Sequence, residues 1–114
     1  MEDCIFCKII KGEIPSNKIY EDDKVIAFHD IDKEAPVHFL VIPKEHIESV
    51  NQINEKNSLI VSHIFLVINK LVSDLGIAKG GYRIVNNTGK DGGQSVKHIH
   101  FHVLGGRNLT WPPG

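Results

Sequence analysis

Apolar residues recur along this chain with two different periods, and the alternation between them divides it into elements. From Asn57 to Leu75, Ile60, Ile64, Ile68, Leu71 and Leu75 return at helical spacing and Gly76 supplies a C-terminal break, which predicts one long helix. Its apolar residues overflow one face. Leu59, Val61, Phe65, Leu66, Val67 and Val72 widen the stripe so far that the helix is expected to cover the sheet and a second copy of the chain, as a homodimer. A short helix is predicted in "DCIFCKIIKGEIP", with Asp3 as N-cap, Ile5, Phe6, Ile9 and Ile10 on one side, and Gly12 and Pro15 ending it. Elsewhere the residue types favour strands. "KIYEDDKVIAFHDI" reads as a hairpin turning at Glu21, Asp22 and Asp23, "HFLVIP" as a third strand ending at Pro43, "GYRIV" as a fourth and "VKHIHFHVL" as a fifth. Strands, one long helix, then strands again imply an α+β domain with a five-stranded antiparallel sheet.

The fifth strand carries an unusual row. Successive strand side chains point to opposite faces, so His98, His100 and His102 share one face at roughly 6.5 Å spacing, and Ile99, Phe101 and Val103 share the other. The loop before it, "NNTGKDGGQ", holds Gly89, Gly92 and Gly93, which permit positive φ and close approach of a ligand to the main chain. Asn87, Gln94 and Ser95 add side-chain donors, and consecutive backbone N–H groups in such a turn form a nest for an anion. A tight turn would use the same glycines.

Composition narrows the classes open to this pattern. A chain of 114 residues, 41% hydrophobic and 24% charged, suits one domain with one core, taken as residues 1–114. Thirteen basic and 14 acidic residues give a net charge of -1 and no basic stripe, which argues against binding a nucleic-acid polymer but leaves a small anion open. "MEDCIFCKII" lacks the basic start and apolar length of a signal peptide, and no apolar run approaches the roughly 20 residues of a membrane helix. A cytoplasmic protein without a membrane partner is therefore expected.

Three chemistries suit a row of imidazoles: a metal site, a satisfied structural cluster, or nucleophilic catalysis by neutral histidine on phosphorus. With an unperturbed pKa near 6.5, histidine is largely neutral at pH 7 and needs no metal to become a nucleophile. Cys4 and Cys7 form a separate C-x-x-C pair, whose spacing suits a metal as well as two unligated thiols.

"QSVKHIHFHVLGGR" matches the pattern His-apolar-His-apolar-His followed by two apolar residues, and the chain resembles the histidine triad (HIT) superfamily, in particular its nucleotide-binding Hint branch. "CIFCKIIKGEIPS", "AFHDI", "PVHFLVIPKEHI", "GGQSV" and the terminal "WPPG" extend the resemblance over nearly the whole chain. It implies a HIT-like fold, a homodimer, and a purine nucleoside phosphoramidase that cleaves a P–N bond through a nucleotidyl-histidine intermediate without a catalytic cofactor. Carried over by residue, it makes His100 the nucleophile and His102 its neighbour at the phosphate. His38 is the histidine that holds the nucleophile's ring, and Ser95 a donor to the leaving group. Asn87, Gly93, Gln94 and Ser95 match phosphate-loop positions, Asp30 the carboxylate on the ribose, and Ile5, Phe6, Ile9, Phe28 and Ile31 the slot for the base, although these five would look the same as plain core. Some relatives carry a structural zinc on positions matching Cys4, Cys7, His46 and His98; His29 and His63 are given no role. A dinucleoside polyphosphate hydrolase or nucleotidyl transferase would use the same histidines, and a nucleotide-binding regulator would need only the site.

Overall fold

The computed structural model describes residues 3–114; Met1 and Glu2, the start of the acidic N-terminal stretch, lie outside the described residues. A short helix α1 (Ile5–Ile10) leads into strands β1 (Lys18–Glu21), β2 (Val25–His29) and β3 (Val37–Pro43). The long helix α2 (Leu59–Asp74) follows, then β4 (Tyr82–Val85) and β5 (Phe101–Gly105). All five strands form one antiparallel sheet in the order β1-β2-β3-β5-β4. The expected α+β architecture, with five strands, one long helix and one short one, is the one found.

The sheet sorts its side chains by the period of two. Val25 and Ala27 of β2, Phe39 and Val41 of β3, and Phe101 and Val103 of β5 face α2, where Ile64, Val67, Ile68, Leu71 and Val72 complete the main core. Ile26, Phe28, Leu40 and Ile42 face the other way and pack with Phe6 of α1 in a smaller cluster. Fully burying each such side chain contributes about 1.5–3 kcal/mol, so α2 is held chiefly by its apolar stripe. A polar tie adds to it: His63 Nε2 lies 2.7 Å from Asp22 Oδ2, joining α2 to the β1–β2 turn.

Local details depart from the sequence reading. The N-cap of α1 is Cys4, whose sulfur accepts the Cys7 N–H at 3.3 Å, and not Asp3, which is exposed. The long helix begins at Leu59 because residues 57–60 make a tighter turn, with Ile60 N–H donating to Asn57 O at 3.1 Å. Both helices end before a glycine of left-handed backbone, Gly12 at φ 78° and Gly76 at φ 77°. The largest difference concerns the fifth strand. Its ladder starts at Phe101, so His98 and His100 precede the paired segment. Pro43 closes β3 and brings no N–H, and the chain before Phe101 bonds elsewhere: Ile99 N–H donates to Ile47 O at 2.7 Å, and Asn86 Nδ2 donates to His100 O at 2.9 Å. The alternation nevertheless continues through the unpaired stretch, since Ile99 enters the main core while both His98 and His100 meet the Phe6 ring edge-to-face at centroid distances of 5.8 and 5.1 Å.

Candidate active site

A cleft of about 470 Å³ opens between α1, the ends of β2 and β3, and the histidine segment. Ile5, Phe6, Ile9, Phe28, Asp30, Ile31, His38, Ser95, His100 and His102 all line it. Phe6 and Phe28 are buried and stack edge-to-face at 5.8 Å, giving the cleft a rigid floor, whereas Ile31 stands 93% exposed at the rim. The segment Ile14–Asn17 and Leu40 also line the cleft, positions the sequence reading missed. Leu40 had a signal, because it alternates with His38 on β3 and lies opposite His102.

Backbone groups fix the protons of His38 and His100, and His38 in turn fixes that of His102. Glu34 N–H donates to His38 Nδ1 at 3.1 Å, so neutral His38 carries its proton on Nε2. That Nε2–H donates to His102 Nδ1 at 3.0 Å, which leaves the His102 proton on Nε2. His100 Nδ1–H donates to His98 O at 2.8 Å, so its Nε2 keeps a bare lone pair. The ring that His38 holds is thus that of His102, and the ring of His100 is held by the His98 carbonyl; this corrects the expectation that His38 holds the nucleophile. Burial lowers the pKa of His100 and of His38. It takes His102 to about 4, with the neighbouring His100 and His38 acting in the same direction. At pH 7 the site is therefore a set of neutral rings.

Those low values have a consequence for stability. The unfolded chain takes up a proton on His102 near pH 6.5 and the folded chain only near 4, so stability is undiminished above pH 6.5 and declines as pH falls through that window. Urea unfolding at pH 7 and pH 4.5 should show a loss from this group of up to about 3 kcal/mol, and His102→Asn should lose less. Equal losses in both proteins would contradict the burial argument.

Asp30 Oδ2 lies 3.3 Å from His38 Nε2 and 3.9 Å from His102 Nδ1, a grouping that resembles a two-histidine, one-carboxylate metal site. Proton placement argues otherwise. A metal on His38 Nε2 would push the ring proton to Nδ1, against the Glu34 N–H that now donates there. His38 and His102 are a hydrogen-bonded pair with the Asp30 carboxylate beside them: its Oδ1 accepts the Asp32 N–H at 2.9 Å, and the residue lines the cleft.

The loop behaves differently from its reading as a phosphate cradle. Gln94 is committed to the chain itself: its Nε2 donates to Glu48 O at 2.7 Å and Val96 O at 2.9 Å, and its Oε1 accepts from Gly89 N–H at 2.9 Å. Asn87, Gly93 and Gln94 lie beyond the cleft lining, and Ser95 is the loop's contribution to it. Asn86, unremarkable in the sequence, fixes the main chain of His100 through the bond described above.

A second cluster sits behind the site. Cys4, Cys7, His46 and His98 bring four ligand atoms within 4.8 Å of one another. Cys4 Sγ and Cys7 Sγ lie 3.4 and 3.6 Å from His98 Nδ1, Cys7 Sγ lies 3.3 Å from His46 Nδ1, and the two Nδ1 atoms are 3.2 Å apart. A tetrahedral ion with zinc's bond lengths requires edges of roughly 3.3–3.8 Å, close to these. The His98 ring is also correctly turned: Nε2–H donates to Pro43 O at 2.8 Å, so Nδ1 offers its lone pair to the cluster. Burial raises the Cys7 thiol's pKa, and the adjacent Cys4 adds to this, so a cation would be what makes it a thiolate.

Comparison with known proteins agrees with the imidazole row. A family model described as the HIT domain matches residues 11–109. The chain belongs to the HIT domain family. Its relatives include an uncharacterized HIT-like protein of Synechococcus elongatus, 47% identical over 99% of this chain and 98% of that protein. Among solved structures, a HIT family hydrolase from Legionella pneumophila superposes with a TM-score of 0.96 at 47% identity, covering 98% of this chain and 100% of that one. A histidine triad nucleotide-binding protein from Candida albicans superposes at 0.82 with 38% identity, over 96% and 83% of the two chains. No described helix of this HIT-family chain is long and apolar enough to cross a membrane.

Proposed function

We propose that this HIT-family protein is a purine nucleoside phosphoramidase of the Hint branch, working in the cytoplasm. The observation that carries the reading is the proton pattern: His100 offers a bare Nε2 while His102, beside it at a ring distance of 5.1 Å, carries N–H on the atom not bonded to His38. That pattern supports reading one ring as a nucleophile and its neighbour as a donor. Similarity to the hydrolase from Legionella pneumophila and the nucleotide-binding protein from Candida albicans supports the same assignment.

In this reading the base lies on Phe6 and Phe28 between Ile5, Ile9 and Ile31, and Asp30 accepts from the ribose hydroxyls. His100 Nε2 attacks the α-phosphorus, a P–N bond to the ring forms, and the bond to the amine breaks. Ser95 gives its hydroxyl proton to the departing amine and regains one from water. His102 Nε2–H donates to the phosphoryl oxygens as their charge rises. Water then cleaves the nucleotidyl-histidine, and His100 leaves with its lone pair restored. Gln94 shapes the loop that delivers Ser95, and Asn87 and Gly93 of the same loop are proposed as its phosphate-loop positions.

Zinc on Cys4, Cys7, His46 and His98 is part of the proposal as a structural ion that secures the segment before His100. A homodimer is proposed as well, because Leu59 and Leu66, seven residues apart on α2, are 81% and 66% exposed and share a face. Sedimentation equilibrium should give twice the chain's mass. Steady-state assays test the activity: an adenosine phosphoramidate should be hydrolysed with kcat/KM at least tenfold above that for a dinucleoside polyphosphate, and the reverse order would reassign the substrate.

A further inference from the structure

The Glu34 N–H that places the proton of His38 belongs to an exposed loop, and such a loop needs something to hold it. Residues 105–107 do so. A Cβ at Gly105 would come 2.7 Å from Ile77 Cδ1, so this strand end packs directly on Ile77, just beyond the end of α2. Gly106 has φ +94°, and a Cβ there would lie 3.0 Å from Pro36 Cβ. That backbone turns Arg107 over the loop, where its Nε and Nη2 donate to Glu34 O at 3.0 and 2.8 Å. Nη1 donates to Asn108 O at 3.1 Å, which fixes the plane of the guanidinium. Gly106 on Pro36 and Arg107 on Glu34 therefore form a clamp on residues 34–36, anchored by Gly105 on Ile77, and the far side of the clamped Glu34 is the N–H on His38.

We propose that Arg107 is a positioning residue: by holding Glu34 it fixes the His38 proton on Nε2, and through that ring the His102 proton on the nitrogen facing the cleft. Arg107 lies outside the cleft lining, so it acts through Glu34 and His38 and not on substrate. Two donors on one carbonyl oxygen restrain Glu34 more tightly than a single flexible ammonium would. Without them the Glu34 N–H drifts off His38 Nδ1, both tautomers of His38 become accessible, and His102 ceases to present N–H to a bound phosphate in every molecule. The catalytic part of this inference rests on the phosphoramidase reading; the tautomeric part does not.

Imidazole nitrogen-15 NMR on the ligand-free full chain reads the tautomer directly. In the wild type, His102 should show one protonated and one unprotonated nitrogen, with the proton on Nε2. In Arg107→Ala the two signals should move toward each other while the backbone amide spectrum away from residues 33–38 stays in place. Arg107→Lys, which keeps one donor, should return part of the separation. On an adenosine phosphoramidate, Arg107→Ala should lower kcat about tenfold with KM changed less than twofold, the low end of the loss usual when an outer hydrogen-bond partner is removed. An unchanged His102 pattern in Arg107→Ala, or a wild-type pattern already averaged, overturns the inference. If the wild type fails to turn over phosphoramidates while the tautomer responds to Arg107, the proposed function falls and the positioning role stands.

Discussion

His100→Ala should leave the fold and nucleotide binding nearly intact and reduce turnover of an adenosine phosphoramidate by roughly 10⁴-fold or more, the scale seen when a covalent nucleophile is removed. The ring is 2% exposed, and its Nδ1 is spent on the His98 carbonyl, so its chemistry resides in one nitrogen. His102 cannot take over, because its Nδ1 accepts from His38 and its Nε2 carries the proton. Binding in the proposed mode would draw on other groups: the aromatic floor of Phe6 and Phe28 and the carboxylate of Asp30 remain in the cleft. The dissociation constant for a nucleoside monophosphate should therefore change by only a few-fold while kcat collapses. A parallel loss of binding and turnover, with loss of the folded amide spectrum, would show that His100 is a core residue first.

The second large effect concerns the cysteine–histidine cluster. Removing metal with a chelator should lower the melting temperature by about 15 °C, since an ion held at a thousand times its dissociation constant contributes about 4 kcal/mol and each kcal/mol moves a domain of this size by roughly 4 °C. The cause is local. Cys4 caps α1, Cys7 lies within it, and His98 leads into the segment that bears His100, so an ion held there would tie the first helix to the stretch proposed to be catalytic. Cys7→Ser should reproduce the loss, and chelator should then have no further effect. Metal analysis of protein purified without added zinc should find one zinc per chain; well under one would count against the assignment.

How far the site could be read from the sequence depends on the range of the forces involved. The α2 stripe, the β1–β2 hairpin and the alternation from His98 to Val103 were legible because each follows from spacing within a few residues, although Glu21, read as part of the turn, ends β1 and residues 22–24 make the connection. The alternation even survives where the ladder does not, since burial of Ile99 and Phe101 is enough to impose it. What escaped was set by contacts distant in sequence. The partner of His38 is decided by the register of β3 on β5, which places Leu40 opposite His102 and brings the His38 ring to it. The strand began late because Ile47 and Asn86 supply the bonds before Phe101, and neither residue advertises that role. Gln94 looked like a phosphate ligand, yet its amide closes a loop through Glu48, 46 residues away. Asp3 lost the cap of α1 to Cys4 because that sulfur faces the helix N-terminus with its cluster partners.

The central claim is that a nucleotidyl group passes through the ring of His100, and intact mass after acid-free quenching of a running reaction tests it most directly. Wild-type protein caught during turnover of an adenosine phosphoramidate should carry the added mass of one adenylyl group, and His100→Ala should carry none. Wild-type chain without the adduct while substrate is consumed at full rate, or the same adduct on His100→Ala, would contradict it.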